Sequence, residues 1–185
     1  MHLIESYALT AGCLIDRCFI EEDPIELPQN KYITFHPFSP KGAIRQYNYW
    51  SVVIDLLKSN PKFTYEIVQI GGNNDPKYSN VVTDYLGKTT YHSLAYLIKH
   101  AGLHLGFDSF PTHLASVYDK KIVSIYAHNA INTMPYFSSA HNISLIQPDF
   151  SQHKPYYSDG HDPFGAINTI DPFVIYEKII HLLEI

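Results

Sequence analysis

The chain has 185 residues, of which 45% are hydrophobic and 17% charged, and its formal net charge is −5. That length suits one domain with a sizeable core, and the composition excludes an intrinsically disordered polymer. An acidic chain without a block of Lys or Arg excludes sequence-independent nucleic-acid binding, which draws on many phosphate contacts. Cys13 and Cys18, the only two cysteines, match neither zinc nor redox CxxC spacing. They read as free thiols of a reducing compartment, with a disulfide as the alternative. The opening stretch MHLIESYALTAGCLIDRCF has no basic n-region and carries an early acid, so it does not read as a signal peptide. No apolar run approaches the ~18 residues of a spanning helix, and the cytoplasm is the expected location.

In chain order, residues 2–14 carry apolar positions at helical spacing (Leu3, Ile4, Tyr7, Ala8, Ala11, Leu14). The polar, proline-bounded piece 21–30 is a connector, and KYITFHPF (31–38) is a β-branched and aromatic strand. A loop, SPKGAIRQYN, leads to a helix over 49–60 that closes at Asn60-Pro61. FTYEIVQI (63–70) is a second strand, stopped by Gly71-Gly72. KYSNVVTDYL reads as helical and YLGKTT (85–90) as a short strand and turn. A helix over 93–102 ends at Gly102, and LHLGF (103–107) and KIVSIYA (121–127) are strands flanking the helix-like PTHLASVY (111–118). NISLIQP (142–148) is the last strand. Asp171-Pro172 then opens a closing helix with Thr169 or Asp171 as cap and a first-turn proline. Strands alternating with helices at this spacing predict a parallel sheet covered on both faces, a three-layer, Rossmann-like α/β fold. Residues 1–30 read as an N-terminal helix and connector and 31–185 as the domain proper.

Polar chemistry gathers where LHLGF meets the next helix, in Asp108-Ser109-Phe110-Pro111-Thr112-His113. In open parallel sheets ligands bind beyond the carboxyl ends of the strands. A helix beginning near Pro111 would aim its unpaired N–H groups and positive dipole end at the same crevice, a setting for phosphate or diphosphate. The competing reading is an ordinary capped helix with His113 merely packed.

The wider run GKTTYHSLAYLIKHAGLHLGFDSFPTHLASVYDKKIVSIYAHN resembles the C-terminal, donor-binding half of glycosyltransferase family 9, the ADP-heptose:lipopolysaccharide heptosyltransferases. The resemblance rests on Gly87-Lys88-Thr89, Leu94, Ile98, Ala101, Gly106, Asp108-Ser109, Pro111, His113-Leu114-Ala115 and the strand 122–126. Upstream, ITFHPFS, Trp50 and VQIGGNND stand where the family has its first strand and loop, a K.W motif and a GG turn, and NTIDPFVIYEKIIHLL resembles its closing helix. The resemblance implies one half of a GT-B glycosyltransferase, metal-independent and without a cofactor beyond a nucleotide-diphosphate sugar as donor. It implies that Asp108 contacts the donor sugar, while the amides of 109–113, the Ser109 and Thr112 hydroxyls and His113 hold the diphosphate. Gly71 and Gly72, with Tyr126, His128 and Asn129, would border the base and ribose.

Three departures accompany it. The family's glycine after Asp-Ser is Phe110 here, which adds bulk where close approach to phosphate is needed. The phosphate-binding lysine is Asn48, with Ser39, Lys41 and Arg45 in the preceding loop as substitute contacts. The acceptor-binding half has no counterpart in the sequence, so transfer would call for a separate acceptor-domain chain or a second copy. The alternative is a non-catalytic, degenerate glycosyltransferase domain acting as an interaction or structural protein. Other constellations point less far. His100 and His104 are four apart but Gly102 falls between them, Asp159, His161 and Asp162 sit in a Gly/Pro turn, and Ser109 lacks the G-x-S-x-G elbow of a hydrolase.

Overall fold

The structure, a computed structural model, describes residues 1–38, 46–81, 83–151 and 166–185. Helix α1 (Leu3–Ala11) comes first. The strands are β1 (Tyr32–His36), β2 (Glu66–Gly71), β3 (Thr83–Leu86), β4 (Leu103–Phe107), β5 (Ile122–Ile125) and β6 (Ile143–Ile146). Helices α2 (Trp50–Ser59), α3 (Tyr91–His100), α4 (Phe110–Val117) and α5 (Pro172–Leu183) complete the set, with short 3-10 turns between β5 and β6 and before α5. All strand pairs are parallel, in the order β3-β2-β1-β4-β5-β6. The order reverses between β1 and β4, where Ile33 pairs with Leu103 and His36 with Gly106.

The period of two along each strand sorts the core into two layers. Ile33 and Phe35 of β1 and Leu103, Leu105 and Phe107 of β4 pack with α2 and α5. Tyr32 of β1, with Val68 and Ile70 of β2, packs with α3 and α4 on the other face. The central strands β1 and β4 are covered on both sides, as in a doubly covered parallel sheet, but one face of the pair carries the buried polar residues Thr34 and His104. Gly106 is fixed by close approach: a Cβ there would meet the His36 carbonyl oxygen at 2.8 Å and His104 Nε2 at 3.2 Å.

The closing helix keeps the expected signals, with Asp171 as N-cap accepting from the Phe173 amide and Pro172 at the first helical position. One element departs from expectation. KYSNVVTDYL is not a helix; its last residues, from Thr83, form the edge strand β3, and Val81 is buried in the core beneath. Val81, Thr83 and Tyr85, two β-branched residues and an aromatic at alternate positions, fit the pleat of a strand beside β2, and helical spacing within that run is coincidental. Cys13 and Cys18 are both free and exposed. Among the described residues no helix is long and apolar enough to cross a membrane.

Candidate functional site

The crevice opens at the carboxyl ends of β1 and β4, where the strand order reverses and neighbouring crossovers diverge to opposite faces. From β4 the chain turns sharply through Asp108 and Ser109 into α4. Ser109 is the N-cap in extended conformation, Pro111 sits in the first turn, and the Ser109 side chain does not cap the helix. The Ser109 and Phe110 amides have no acceptor within the helix, and Pro111 has no N–H. The start of α4 therefore presents two amides and a positive dipole end to the crevice.

The Ser109 hydroxyl is held from two sides. It lies 3.0 Å from His36 Nδ1 at the end of β1 and donates to the Phe107 carbonyl at 3.1 Å. His36 stacks on Phe107 with ring centroids 5.6 Å apart. Burial pushes the His36 pKa down to about 4, against a smaller upward pull from the Asp75 carboxylate, so the ring is neutral at pH 7. A neutral ring has one N–H. With the serine proton on Phe107 O, His36 Nδ1–H donates to Ser109 Oγ, and the hydroxyl is fixed rather than free to rotate.

Asp108 stands beside it between two histidines. His113 Nε2 lies 3.3 Å from one carboxylate oxygen, and His128 Nε2 lies 3.5 Å from the other and 3.0 Å from Thr133 Oγ1. The His113 side chain is 43% exposed while those of Asp108 and His128 are mostly covered, so His113 is the member of the trio that faces solvent.

A second polar chain runs beneath the turn. Thr112 is fully buried, and its hydroxyl donates to Phe107 O at 2.8 Å and lies 3.3 Å from His104 Nε2. His104 Nδ1 is 3.0 Å from Thr34 Oγ1. One tautomer satisfies every group: Nε2–H donates to Thr112, and Nδ1 accepts from Thr34. Burial, reinforced by neighbouring His36, pushes the His104 pKa down to about 3. This chain ties β1, β4 and α4 together under the crevice. Replacing Thr112 with valine keeps the volume but strands the buried His104 N–H, and should cost about 1–3 kcal/mol in urea unfolding, whereas Thr112→Ser should cost less.

The other expected site residues fall around this centre. Phe110 is 51% exposed and meets Tyr91 edge-on at 5.4 Å. Thr112 turns its hydroxyl inward, and its amide is bonded to Ser109 O, so the residue expected to contact a diphosphate supports the turn from below. Tyr126 is buried with its ring edge against His128 at 5.5 Å; burial, then the Asp108 charge, push its phenol pKa well up. Asn129 caps a 3-10 turn by accepting from the Ile131 amide. Gly71 and Gly72 begin a turn closed by Asp75, whose carboxylate accepts from the Gly72 amide at 2.7 Å. A side chain at Gly71 would strike the same carboxylate. Ser39, Lys41 and Arg45 lie outside the described residues, as do Asp159, His161 and Asp162. His36 and His104 were not among the expected site residues. The one available signal was a histidine within each of two mostly apolar strands, last in β1 and second in β4.

The family model for glycosyltransferase family 9 (heptosyltransferase) matches residues 44–157, more than half of the chain. The chain belongs to this family. Solved structures of the family share the fold. The Escherichia coli ADP-heptose LPS heptosyltransferase II is 18% identical with a TM-score of 0.61, over 97% of this chain and 51% of that one. A family 9 glycosyltransferase from Veillonella parvula is 16% identical with a TM-score of 0.65, over 97% of this chain and 50% of that one. TibC from enterotoxigenic E. coli, described as an iron-containing dodecameric glycosyltransferase, is 17% identical with a TM-score of 0.64, over 91% of this chain and 48% of that one. The chain thus spans about half the length of the solved family 9 members it matches. No curated protein matches the sequence. Among the described residues no group of three or more His, Cys, Asp or Glu side chains is placed to hold a metal ion.

Proposed function

We propose that this family 9 chain binds a nucleotide-diphosphate sugar at the carboxyl edge of its sheet, in the cytoplasm, and that glycosyl transfer draws its acceptor-binding half from a partner chain or a second copy. The observation that carries this reading is the start of α4 at the strand-order reversal, with the Ser109 hydroxyl held by His36 and Asp108 set between His113 and His128. In this reading the Ser109 and Phe110 amides and His113 hold the diphosphate, while the Ser109 hydroxyl, bonded to Phe107 O and His36, holds the turn that presents those amides. Charge building on the leaving diphosphate during transfer is then met by donors already in place. Asp108 accepts from a hydroxyl of the donor sugar. The Gly71-Gly72 turn and the segment Tyr126 to Asn129 border the base and ribose, and Ser39, Lys41 and Arg45 of the loop after β1 supply further contacts. The chemistry follows the metal-independent pattern that the family resemblance implies.

A second reading, a domain that keeps the fold without catalysis, is favoured by Asn48. It stands in place of the family's lysine, is exposed, and has its amide bound by Asn168 Oδ1 at 2.7 Å. Calorimetric titration with ADP-, UDP- and GDP-sugars separates the two. Donor binding predicts saturable heat with at least one of them and a loss of at least about tenfold in affinity in Asp108→Ala, a charge-assisted hydrogen bond removed. If no nucleotide-sugar binds, or Asp108→Ala changes nothing, the donor site is refuted and the second reading stands.

A further inference from the structure

Beside the crevice, α1 and α4 flank an open pocket of about 540 Å³. Leu3, Ile4 and Tyr7 of α1 line one side and Phe110 and Leu114 of α4 another, and Tyr136 and Phe137 line it as well. Asp108 and His113, 3.3 Å apart, are among its polar lining residues. The α1 wall is fastened in place: His2 Nε2–H donates to the Met134 carbonyl at 2.7 Å, the His2 ring packs on Tyr136, and Tyr136 donates to Glu5 at 3.3 Å.

The geometry points to a site for a small amphiphile: one apolar body, alkyl or aryl, ending in a hydroxyl that reaches Asp108 and His113. The volume falls in the range of small-molecule sites, roughly 300–1,000 Å³, which combine apolar walls with few convergent polar groups. A protein partner would instead engage roughly 20–30 residues on a side. Apolar lining left in water is a cost that an apolar ligand removes: Tyr7 is 65% exposed and Phe110 51%. The head group follows from this polar pair. A hydroxyl donates to the Asp108 carboxylate and accepts from His113, whereas a carboxylate head would meet the Asp108 charge. The functional meaning rests on the donor reading above, since a hydroxyl held at Asp108 stands next to the proposed donor sugar. The binding itself needs no nucleotide.

The test uses the full chain without nucleotide. Nile red bound to the pocket is displaced by n-alkan-1-ols from hexanol to decanol, by their methyl ethers and by the matching alkanoates. Expected is one-to-one displacement, tightening about threefold to fourfold per methylene until the pocket is full. Ethers and alkanoates should be weaker by about tenfold. The double variant Leu3→Ser with Tyr7→Ala, at positions 44% and 65% exposed and so tolerant of change, should flatten the chain-length dependence. Absence of saturable displacement, an unchanged slope in the double variant, or equal binding of ethers would overturn the site. So would sedimentation showing a dimer that the double variant dissolves, because a second copy would then fill the groove. Nucleotide-sugar titration of the same double variant keeps the two proposals apart: donor binding that survives while alcohol binding is lost separates the pocket from the crevice.

Discussion

Taken from pH 7 to pH 5, the protein should lose about 2 kcal/mol of stability through His104 alone. The folded ring has its pKa pushed from 6.5 to about 3, mainly by burial. In that interval the unfolded chain takes up a proton that the folded chain refuses, so stability rises with pH and falls as pH drops. The contribution is complete above the unfolded value near 6.5. It then declines by about 1.4 kcal/mol per pH unit down to the folded value. His36, pushed down to about 4, acts in the same direction and by a similar amount over this interval, since both folded values lie below pH 5. Carboxylates whose pKa values are lowered, Asp84 by Lys77 and Lys88 and Asp119 by Ser139, weaken the fold only at lower pH, so the histidine window stands clear of them. Urea midpoints at pH 7, 6 and 5 read the slope. In His104→Asn, which is less stable at pH 7 but cannot titrate, the slope should fall by about half; an unchanged slope would assign the acid sensitivity elsewhere.

Replacing Trp50 with alanine should cost about 3–5 kcal/mol, the range for deleting a fully buried aromatic side chain. Trp50 is completely buried at the start of α2 and meets Phe35 of β1 and Tyr47 edge-on, with ring centroids 5.3 Å and 5.1 Å away. Tyr47 in turn donates to the Ile170 carbonyl just before α5, so one ring cluster joins β1, α2 and the approach to α5. The indole N–H has no partner among the described residues. Trp50→Phe should therefore recover most of the loss, since phenylalanine gives up volume but leaves no polar atom stranded. Circular dichroism in urea measures both variants, and this sole tryptophan provides a fluorescence readout for the parent chain.

Particular residues show what the sequence makes legible. The strand-helix alternation could be read because β1, β2, β4 and β5 are short, largely apolar runs, three of them followed by Pro37, Gly72 or Asp108, and their burial on both faces leaves little ambiguity. β3 could be read only at its end, Tyr85-Leu86, because an edge strand of four part-buried residues carries too short a pattern to outweigh helix-like spacing before it. The Asp108–His113 turn was visible as polar chemistry at a strand-to-helix junction. What stayed hidden is which of its groups face out. Thr112 and Ser109 are both hydroxyls three residues apart, yet the first closes an internal chain to His104 and the second meets His36 across the crevice. That difference depends on β1 lying beside β4, a pairing between residues some seventy apart that no local spacing encodes.

Helix α1 carries no buried side chain, and its ties to the rest of the protein are a few polar bonds and one ring contact at its first turn. Its amides should therefore exchange with deuterium through local opening, at a free energy well below that of the sheet. Local opening of α1 breaks its ties to Met134 and Tyr136 and widens the already open pocket while β1 and β4 stay paired. An occupant gripping both walls would slow exchange in α1 first and leave the core strands unchanged.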